Sequence, residues 1–350
     1  CPACRGSEAV SGRRALMVAP GWDADLAIEE VGPPPPPSAD QVVVEVAACG
    51  VCYRDCIDRA GRFPFLQLPI TPGHEAAGEV IAVGPGVTDL QLGDRVGTMH
   101  RDHCGTCPAC QRGDQSLCDQ AAWVFGLTAP GGYASHVTAP ERAFYRLPAD
   151  MPDALAATLH CTYGTAYRGL SKFGRPGPGD RVLITGANGG VGSAAVEIAA
   201  RLGAEVIAVV RRQQDAAFVR DRGASQVCVD DTGGFHKKLD GGRVDLVLDC
   251  VGQPTFNASL RSLRLGGGLV VVGNVVEERV RLNLGYAIVS GLHIVGSSGA
   301  TPADMVEVLA LHADRPFEMS LHASLPLDQA DRAQRMVRAG GLRGRIVLVP

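Results

Sequence analysis

The sequence predicts an α/β protein in two parts, a β-rich first domain and a doubly wound parallel sheet. Three observations carry this expectation. From residue 181 to about 273, short apolar strands alternate with helical segments at the spacing of βαβ units. The stretch before it is β-branched and broken by turn residues, in a chain with 44 Gly and 23 Pro. After about residue 299 come two more helical stretches and a last strand, so the alternating block is inserted in, or followed by the end of, the first domain. A length of 350 residues fits about two domains. The expected division is 1–160 with 300–350 for the first domain and 161–299 for the second.

The elements follow in order. Residues 1 to about 12 read as a processed, tagged or wrongly extended end, a disordered leader. The five prolines 33–37 form a stiff extended connector; a peptide-recognition role is the weaker alternative. "QVVVEVAA" (41–48) alternates partly and is β-branched, hence a strand. "GEVIAVGPGV" is a strand ending in a Gly-Pro-Gly turn, and "GDRVGTM" and "GGYASHV" are further short strands. Helical pattern begins at "DALAATL" and continues in "TAYRGLSKFG". Beyond 181 the strands are "RVLITG", "EVIAVV", "QVCV", "VDLVLDCVG" and "GLVVVGN". The helices between them are "GVGSAAVEIAARLGA", "QDAAFVRDRGA" and "TFNASLRSLRLGG". "GRIVLV" closes the chain.

Composition narrows the function. At 46% hydrophobic and 20% charged the chain is of ordinary globular type, and a net charge of -4 gives no pull toward nucleic acid or anionic membrane. No apolar run reaches the ~18 to 20 residues of a membrane span, and no secretory signal is visible. Twelve cysteines without an export signal favour reduced thiols and metal sites over disulfides, in a cytoplasmic protein.

Two metal motifs stand out. "CGTCPACQRGDQSLC" places Cys104, Cys107, Cys110 and Cys118 at C-x2-C-x2-C-x7-C spacing, which lets one loop wrap four thiolates around a tetrahedral ion. A closed four-sulfur shell would be structural; an iron–sulfur cluster or four unrelated buried cysteines are the alternatives. The second motif is dispersed. "CGVCYRD" (49–55) could be a redox pair, half of a metal site, or a buried strand end. With His74 of "GHE" and Cys161 of "HCTYGTAYRG", Cys52 would supply the three ligands of a catalytic zinc with an open fourth position. Asp55 could hold the imidazole and fix its tautomer, and Glu75 could approach the metal when the fourth position is empty. Each residue alone is more often part of a core. Their order around the four-cysteine loop gives the set its weight.

Over roughly residues 14–350 the sequence resembles the zinc-containing medium-chain dehydrogenase/reductase family, of the alcohol dehydrogenase type. The resemblance implies a GroES-like catalytic domain plus a Rossmann coenzyme domain. It assigns Cys52, three before the aspartate, as the sulfur ligand, so that Cys49 packs instead. His74 and Cys161 complete the ligand set, Thr165 lies near the nicotinamide, and the four-cysteine loop matches the structural zinc lobe. Two zinc ions per chain are implied. The region "RLNLGYAIVSGLHIVGSS" pairs across a two-fold axis in the family, so a homodimer or homotetramer is expected.

"ITGANGGVGSAAV" follows a strand and opens a helix, the context in which a glycine motif binds a dinucleotide. Gly186, Gly189, Gly190 and Gly192, with Asn188 and Val191, allow a tight turn and close approach to a pyrophosphate at a helix N-terminus. Val251 and Gly273, at later strand ends, join the expected cofactor set. The second strand ends in Val210, Arg211 and Arg212 rather than in an acid that would hold the ribose of NAD. Guanidinium matches a 2'-phosphate, which favours NADP(H) over NAD(H). A solvated helix start is the bland alternative for the arginine pair.

Arg54 is the anomaly. In alcohol-oxidising members of the family its place is held by Ser or Thr, whose hydroxyl relays the alcohol proton. Guanidinium has five donors and no acceptor, so it cannot perform that relay. "CYRD", "YRG", "GQPTFNASLRSLRLGG", "GNV" and "LNLGYAIVSGLHIVG" resemble the archaeal acryloyl-coenzyme A reductases, which reduce an activated double bond with NADPH. Three functions are therefore carried forward. The first is a zinc- and NADP(H)-dependent oxidoreductase of a small carbonyl or alcohol. The second is a 2-enoyl thioester or enone reductase. The third is a non-catalytic nucleotide-binding protein, against which the intact ligand triad argues.

Overall fold

The structure, a computed structural model, describes residues 12–276 and 278–350. The expected leader and its Cys1 and Cys4 lie outside them. Two sheets organise the chain.

The first is mixed. Its strands run in the order Leu321–Pro326, Arg345–Val349, Gln41–Val51, Ala76–Val83, Arg95–Thr98 and Phe144–Arg146, with His136–Pro140 also pairing on Gln41–Val51. The end of the chain is thereby built into the sheet of its beginning. Ile346 pairs with Val51 and Leu348 with Cys49, antiparallel. Val42, Val44 and Val46 on the long strand alternate into a core with Ile346, Leu348, Val80 and Val96. An antiparallel hairpin, Gly12–Leu16 with Ala27–Val31, was not anticipated, nor was the strand Leu321–Pro326.

The second sheet is parallel, in the order Gln226–Val229, Glu205–Val210, Arg181–Ile184, Val244–Asp249, Leu263–Val271, His293–Gly296. Its centre reads as a continuous apolar run because both faces are covered. Val182, Leu183 and Ile184 are wholly buried, under the small-residue helix Gly190–Arg201 on one side and apolar partners such as Phe256 on the other. The strand order reverses between Arg181–Ile184 and Val244–Asp249, and at such a switch point the carboxyl ends of the strands leave a crevice.

One helix was over-extended by the sequence pattern. It runs Gln253–Ser262, and "LRLGG" already belongs to the strand Leu263–Val271. Leu263 is fully buried and pairs with Val244, while the glycines 266–268 have poor helix propensity. Sheet pairing therefore overrides the local period. Among the described residues, no helix is long and apolar enough to cross a membrane.

Candidate active site and metal centres

Cys52 sits where the strand Gln41–Val51 hands over to the helix Tyr53–Arg59, as that helix's N-cap. Asp55 Oδ2 accepts the Cys52 N–H at 2.8 Å, which fixes the turn. His74 follows Gly73 in the segment entering the strand Ala76–Val83. Cys161 lies in a π-helical turn, His160–Gly164, between the helices Asp153–Thr158 and Thr165–Leu170. Such turns interrupt helices where a side chain must be re-aimed. Here the turn aims a sulfur at the other two residues.

The three side chains converge. Cys52 Sγ lies 3.8 Å from Cys161 Sγ, and Cys161 Sγ lies 3.6 Å from His74 Nε2. A tetrahedral zinc with bonds of ~2.3 Å to sulfur and ~2.0–2.1 Å to nitrogen has S–S edges of about 3.8 Å and S–N edges of about 3.6 Å. The donor set therefore fits a zinc ion without rearrangement. Glu75 joins the cluster, with Oε1 3.5 Å from His74 Nε2 and no hydrogen-bond partner. A buried, orphaned carboxylate oxygen beside three donors is what a cation would satisfy. Burial pushes the Glu75 carboxyl up to about 7 even though Arg345 acts to lower it. The hydrogen bond from Cys161 and the proximity of His74 pull the Cys52 thiol well below its ordinary range, against the effect of burial.

The surroundings orient the ring. His74 Nδ1 lies 3.0 Å from Asp55 Oδ1, and Tyr133 Oη donates to Asp55 Oδ2 at 3.0 Å. Asp55 is buried and receives three donors: the Cys52 N–H, the Tyr133 hydroxyl and, with Nε2 turned to the sulfurs, His74 Nδ1–H. Only an acceptor-only group suits that position. Cys49 is buried outside this cluster. Sequence reasoning missed Tyr133 and Arg345. The latter is buried, donates through Nη2 to Glu75 Oε2, and stands beside it because the last strand pairs with the strand leading to Cys52.

Arg54 is pinned by its own helix and a neighbouring loop. Its Nε donates to Asp58 Oδ2 at 3.0 Å and its Nη2 to the Phe125 carbonyl at 2.6 Å. Burial raises the Asp58 carboxyl to about 6 against the pull of Arg54.

The four-cysteine loop closes as its spacing predicts. Cys104 and Cys110 sulfurs are 3.9 Å apart, Cys107 and Cys118 sulfurs 3.8 Å, and all four ligand atoms lie within 4.8 Å of one another. Hydrogen bonds from the Thr106 side chain and backbone and the Cys107 backbone N–H pull Cys104 down to about 6, toward the thiolate a metal requires. Four sulfurs leave no open position, so this is a structural zinc site.

A groove of about 500 Å³ runs along the crevice of the parallel sheet. Gly186, Asn188, Gly189 and Gly190 form one side, with Gly186 in the left-handed region at φ +59. Val251, packed beside Gly186, and Arg211 also line it. Val51, Tyr53 and Arg345 bring it to the edge of the Cys52 cluster. The segment 337–346 forms the opposite wall, another feature unseen from the sequence. Arg345 Nε is buried without a partner on that wall, an orphaned donor suited to an anionic cofactor. Four further residues of the expected cofactor set are not part of the lining. Val191 and Gly192 lie in the first turn of helix Gly190–Arg201, and Thr165 opens the helix after the π-turn. Gly273 packs its backbone on the Cys250 carbonyl. Arg212 is turned away, ion-paired with Asp215 at 2.8 Å.

A zinc donor set with an orienting carboxylate, a closed four-cysteine site and a dinucleotide groove at a sheet's switch point together define a zinc-dependent dehydrogenase. Residues 38–149 match the family model "Alcohol dehydrogenase GroES-like domain" and residues 190–314 match "Zinc-binding dehydrogenase". The chain belongs to the zinc-binding medium-chain dehydrogenase/reductase family and is an enzyme of that class. It is 32% identical to the acryloyl-coenzyme A reductase of Sulfurisphaera tokodaii, over 95% of this chain and 99% of that protein. It is also 32% identical to an alcohol dehydrogenase of Geobacillus stearothermophilus, over 89% and 92%. The crystal structure of AibC superposes with a TM-score of 0.90 at 38% identity, covering 97% of this chain and 96% of that one.

Proposed function

We propose that this enzyme is an NADPH-dependent reductase of 2-enoyl thioesters. Arg54 is the observation that carries the reading. An alcohol dehydrogenase needs a proton acceptor beside the substrate oxygen, and two residues after Cys52 this chain offers a guanidinium fixed to Asp58 and Phe125. Reduction of a conjugated double bond needs instead a cationic donor where negative charge develops on the thioester oxygen, and Arg54 is such a donor. The name of the Sulfurisphaera relative points the same way. When bound, the zinc supplies a Lewis acid for that oxygen. A bound NADPH would supply the hydride for the β-carbon, with solvent supplying the proton for the α-carbon.

The chain's own residues do the rest. Cys52, His74 and Cys161 hold the metal, Asp55 orients His74, and Glu75 stands beside the open position. The turn 186–192 cradles the pyrophosphate, while Thr165, Val251 and Gly273 shape the nicotinamide end. Arg211, exposed on the groove, receives the 2'-phosphate that selects NADP(H). Arg212 contributes less, since Asp215 already engages it. The catalytic domain comprises 12–160 with 300–350 and the coenzyme domain 161–299.

A second reading, an oxidoreductase of small carbonyls or alcohols, is favoured by the complete Cys52–His74–Cys161 set. One assay separates them: NADPH consumption with acryloyl- and crotonyl-coenzyme A against a panel of aldehydes and ketones. Turnover of enoyl thioesters supports the first reading, and turnover of carbonyls alone overturns it.

The chain assembles at least as a dimer. Helix Leu284–Ser290 exposes Leu284, Ile288 and Val289 at 67%, 76% and 78%, beside the edge strand His293–Gly296. Such a patch, next to unpaired strand groups, calls for a partner copy.

A further inference from the structure

A second cavity lies behind the cofactor groove. It encloses about 510 Å³ between the turn Phe235–Lys237, residues 239–243, the helix Gln253–Ser262 and the start of the helix Leu284–Ser290. Its polar lining consists of His236, Arg243, Arg261, Asn257 and Asn283, and no carboxylate lines it.

The donors are uncommitted. Arg261 has no ion pair among the described residues, and Arg243 makes one long hydrogen bond, 3.4 Å to the Leu263 carbonyl. His236 Nδ1 is shielded from solvent and has no partner. Asn283 spends its side-chain oxygen capping the next helix at Tyr286 N–H, which leaves its NH2 group to donate. Of the neighbouring acids, Asp230 pairs with Lys238 at 2.8 Å and Asp245 with Arg264, while Asp240, between Leu239 and Arg243, is exposed and does not line the cavity. Opposite these donors stand Leu239, Leu260 and Tyr286, an apolar wall. Guanidinium forks match phosphate oxygens in charge and geometry, and an apolar wall suits the organic part of an ester.

We propose that this cavity is a second ligand site that binds the phosphate group of a small organic phosphate, with Arg243 and Arg261 as its principal holders. The site shares walls with the cofactor groove. Phe235 lines the groove while His236 lines the cavity, and one helix gives Pro254 and Thr255 to the groove but Asn257 and Arg261 to the cavity. An occupant therefore touches the elements that shape the cofactor site, as an effector would.

The test is titration calorimetry of inorganic phosphate and of phenyl phosphate into the NADPH-saturated enzyme, so that the cofactor's own phosphate subsites are filled. Both Arg243 and Arg261 are exposed, so the R243Q/R261Q double variant retains the fold, which unchanged NADPH binding verifies. The expected result is one site per chain, tighter for phenyl phosphate, and weakened by about tenfold or more in the variant. Absence of binding to the saturated enzyme, or binding that survives the double substitution, would overturn the proposal.

Discussion

Asp55→Asn tests the support of the catalytic metal most sharply. Asp55 accepts from three donors at 2.8, 3.0 and 3.0 Å: the Cys52 N–H, the Tyr133 hydroxyl and His74 Nδ1–H. The residue is 1% exposed, so water cannot substitute. Asparagine is nearly isosteric but has one acceptor oxygen, and its NH2 must face at least one of the three donors. Partners that orient a metal-bound histidine typically contribute 10–100-fold to affinity, about 1.4–2.8 kcal/mol. The assay is zinc content after dialysis against a graded chelator, read beside hydride-transfer activity. We expect D55N to lose the catalytic zinc at about 10–100-fold weaker chelation while keeping the four-cysteine zinc, so that metal content falls from two toward one per chain. Tyr133→Phe removes one donor without introducing an opposing one and gives a smaller loss. Catalytic zinc held equally well by D55N and wild type would refute the orienting role of Asp55.

Other outcomes follow from the same geometry. Cys107→Ala removes one ligand of the closed site, so zinc content falls by one, activity per remaining zinc persists initially, and Tm drops by about 5 °C or more in calorimetry. Arg211→Gln weakens NADPH binding by about tenfold while leaving NADH nearly unchanged, whereas Arg212→Gln, already paired with Asp215, shifts the ratio less; fluorescence titration of both cofactors checks this. Ile288→Asp puts a charge into the exposed patch of helix Leu284–Ser290 and yields a monomer by light scattering. Burial acts to raise the Asp215 carboxyl, but hydrogen bonds from Arg212 and Arg343 outweigh it and hold the group low. Its stabilisation is therefore present above the ordinary carboxylate pKa and lost as pH falls through the depressed one. D215N lowers Tm at pH 7 by about 1–2 °C, for ~1 kcal/mol after discounting the half-exposed arginines, and the difference from wild type closes in acid.

How much was legible in advance follows from how far apart in sequence the cooperating residues lie. The four cysteines fall within one loop and the glycine turn within one strand–helix junction, so spacing alone announces both. The dispersed Cys52, His74 and Cys161 set is brought together by two sheet strands and a π-turn, and reading it needed a resemblance as well as the residue types. Tyr133 and Arg345 carry no local signature. Arg345 begins a strand whose partner, Gln41–Val51, lies some 295 positions earlier, and Tyr133 sits in a bend outside the strands, held by backbone hydrogen bonds to Pro72 and Ala15. The groove wall 337–346 was hidden for the same reason. The helix that overran Ser262 shows the complementary failure, where a local helical period lost to pairing of Leu263 with Val244.

The central claim is that Cys52, His74 and Cys161 hold zinc at the inner end of a dinucleotide groove. Anomalous diffraction at the zinc edge from crystals grown with NADPH tests it most directly. The account predicts two peaks per chain, one bonded to Cys104, Cys107, Cys110 and Cys118 and one at ~2.3 Å from the Cys52 and Cys161 sulfurs and ~2.0–2.1 Å from His74 Nε2. A single peak at the four-cysteine loop, with the other three side chains ordered and empty in fully zinc-loaded enzyme, would contradict it.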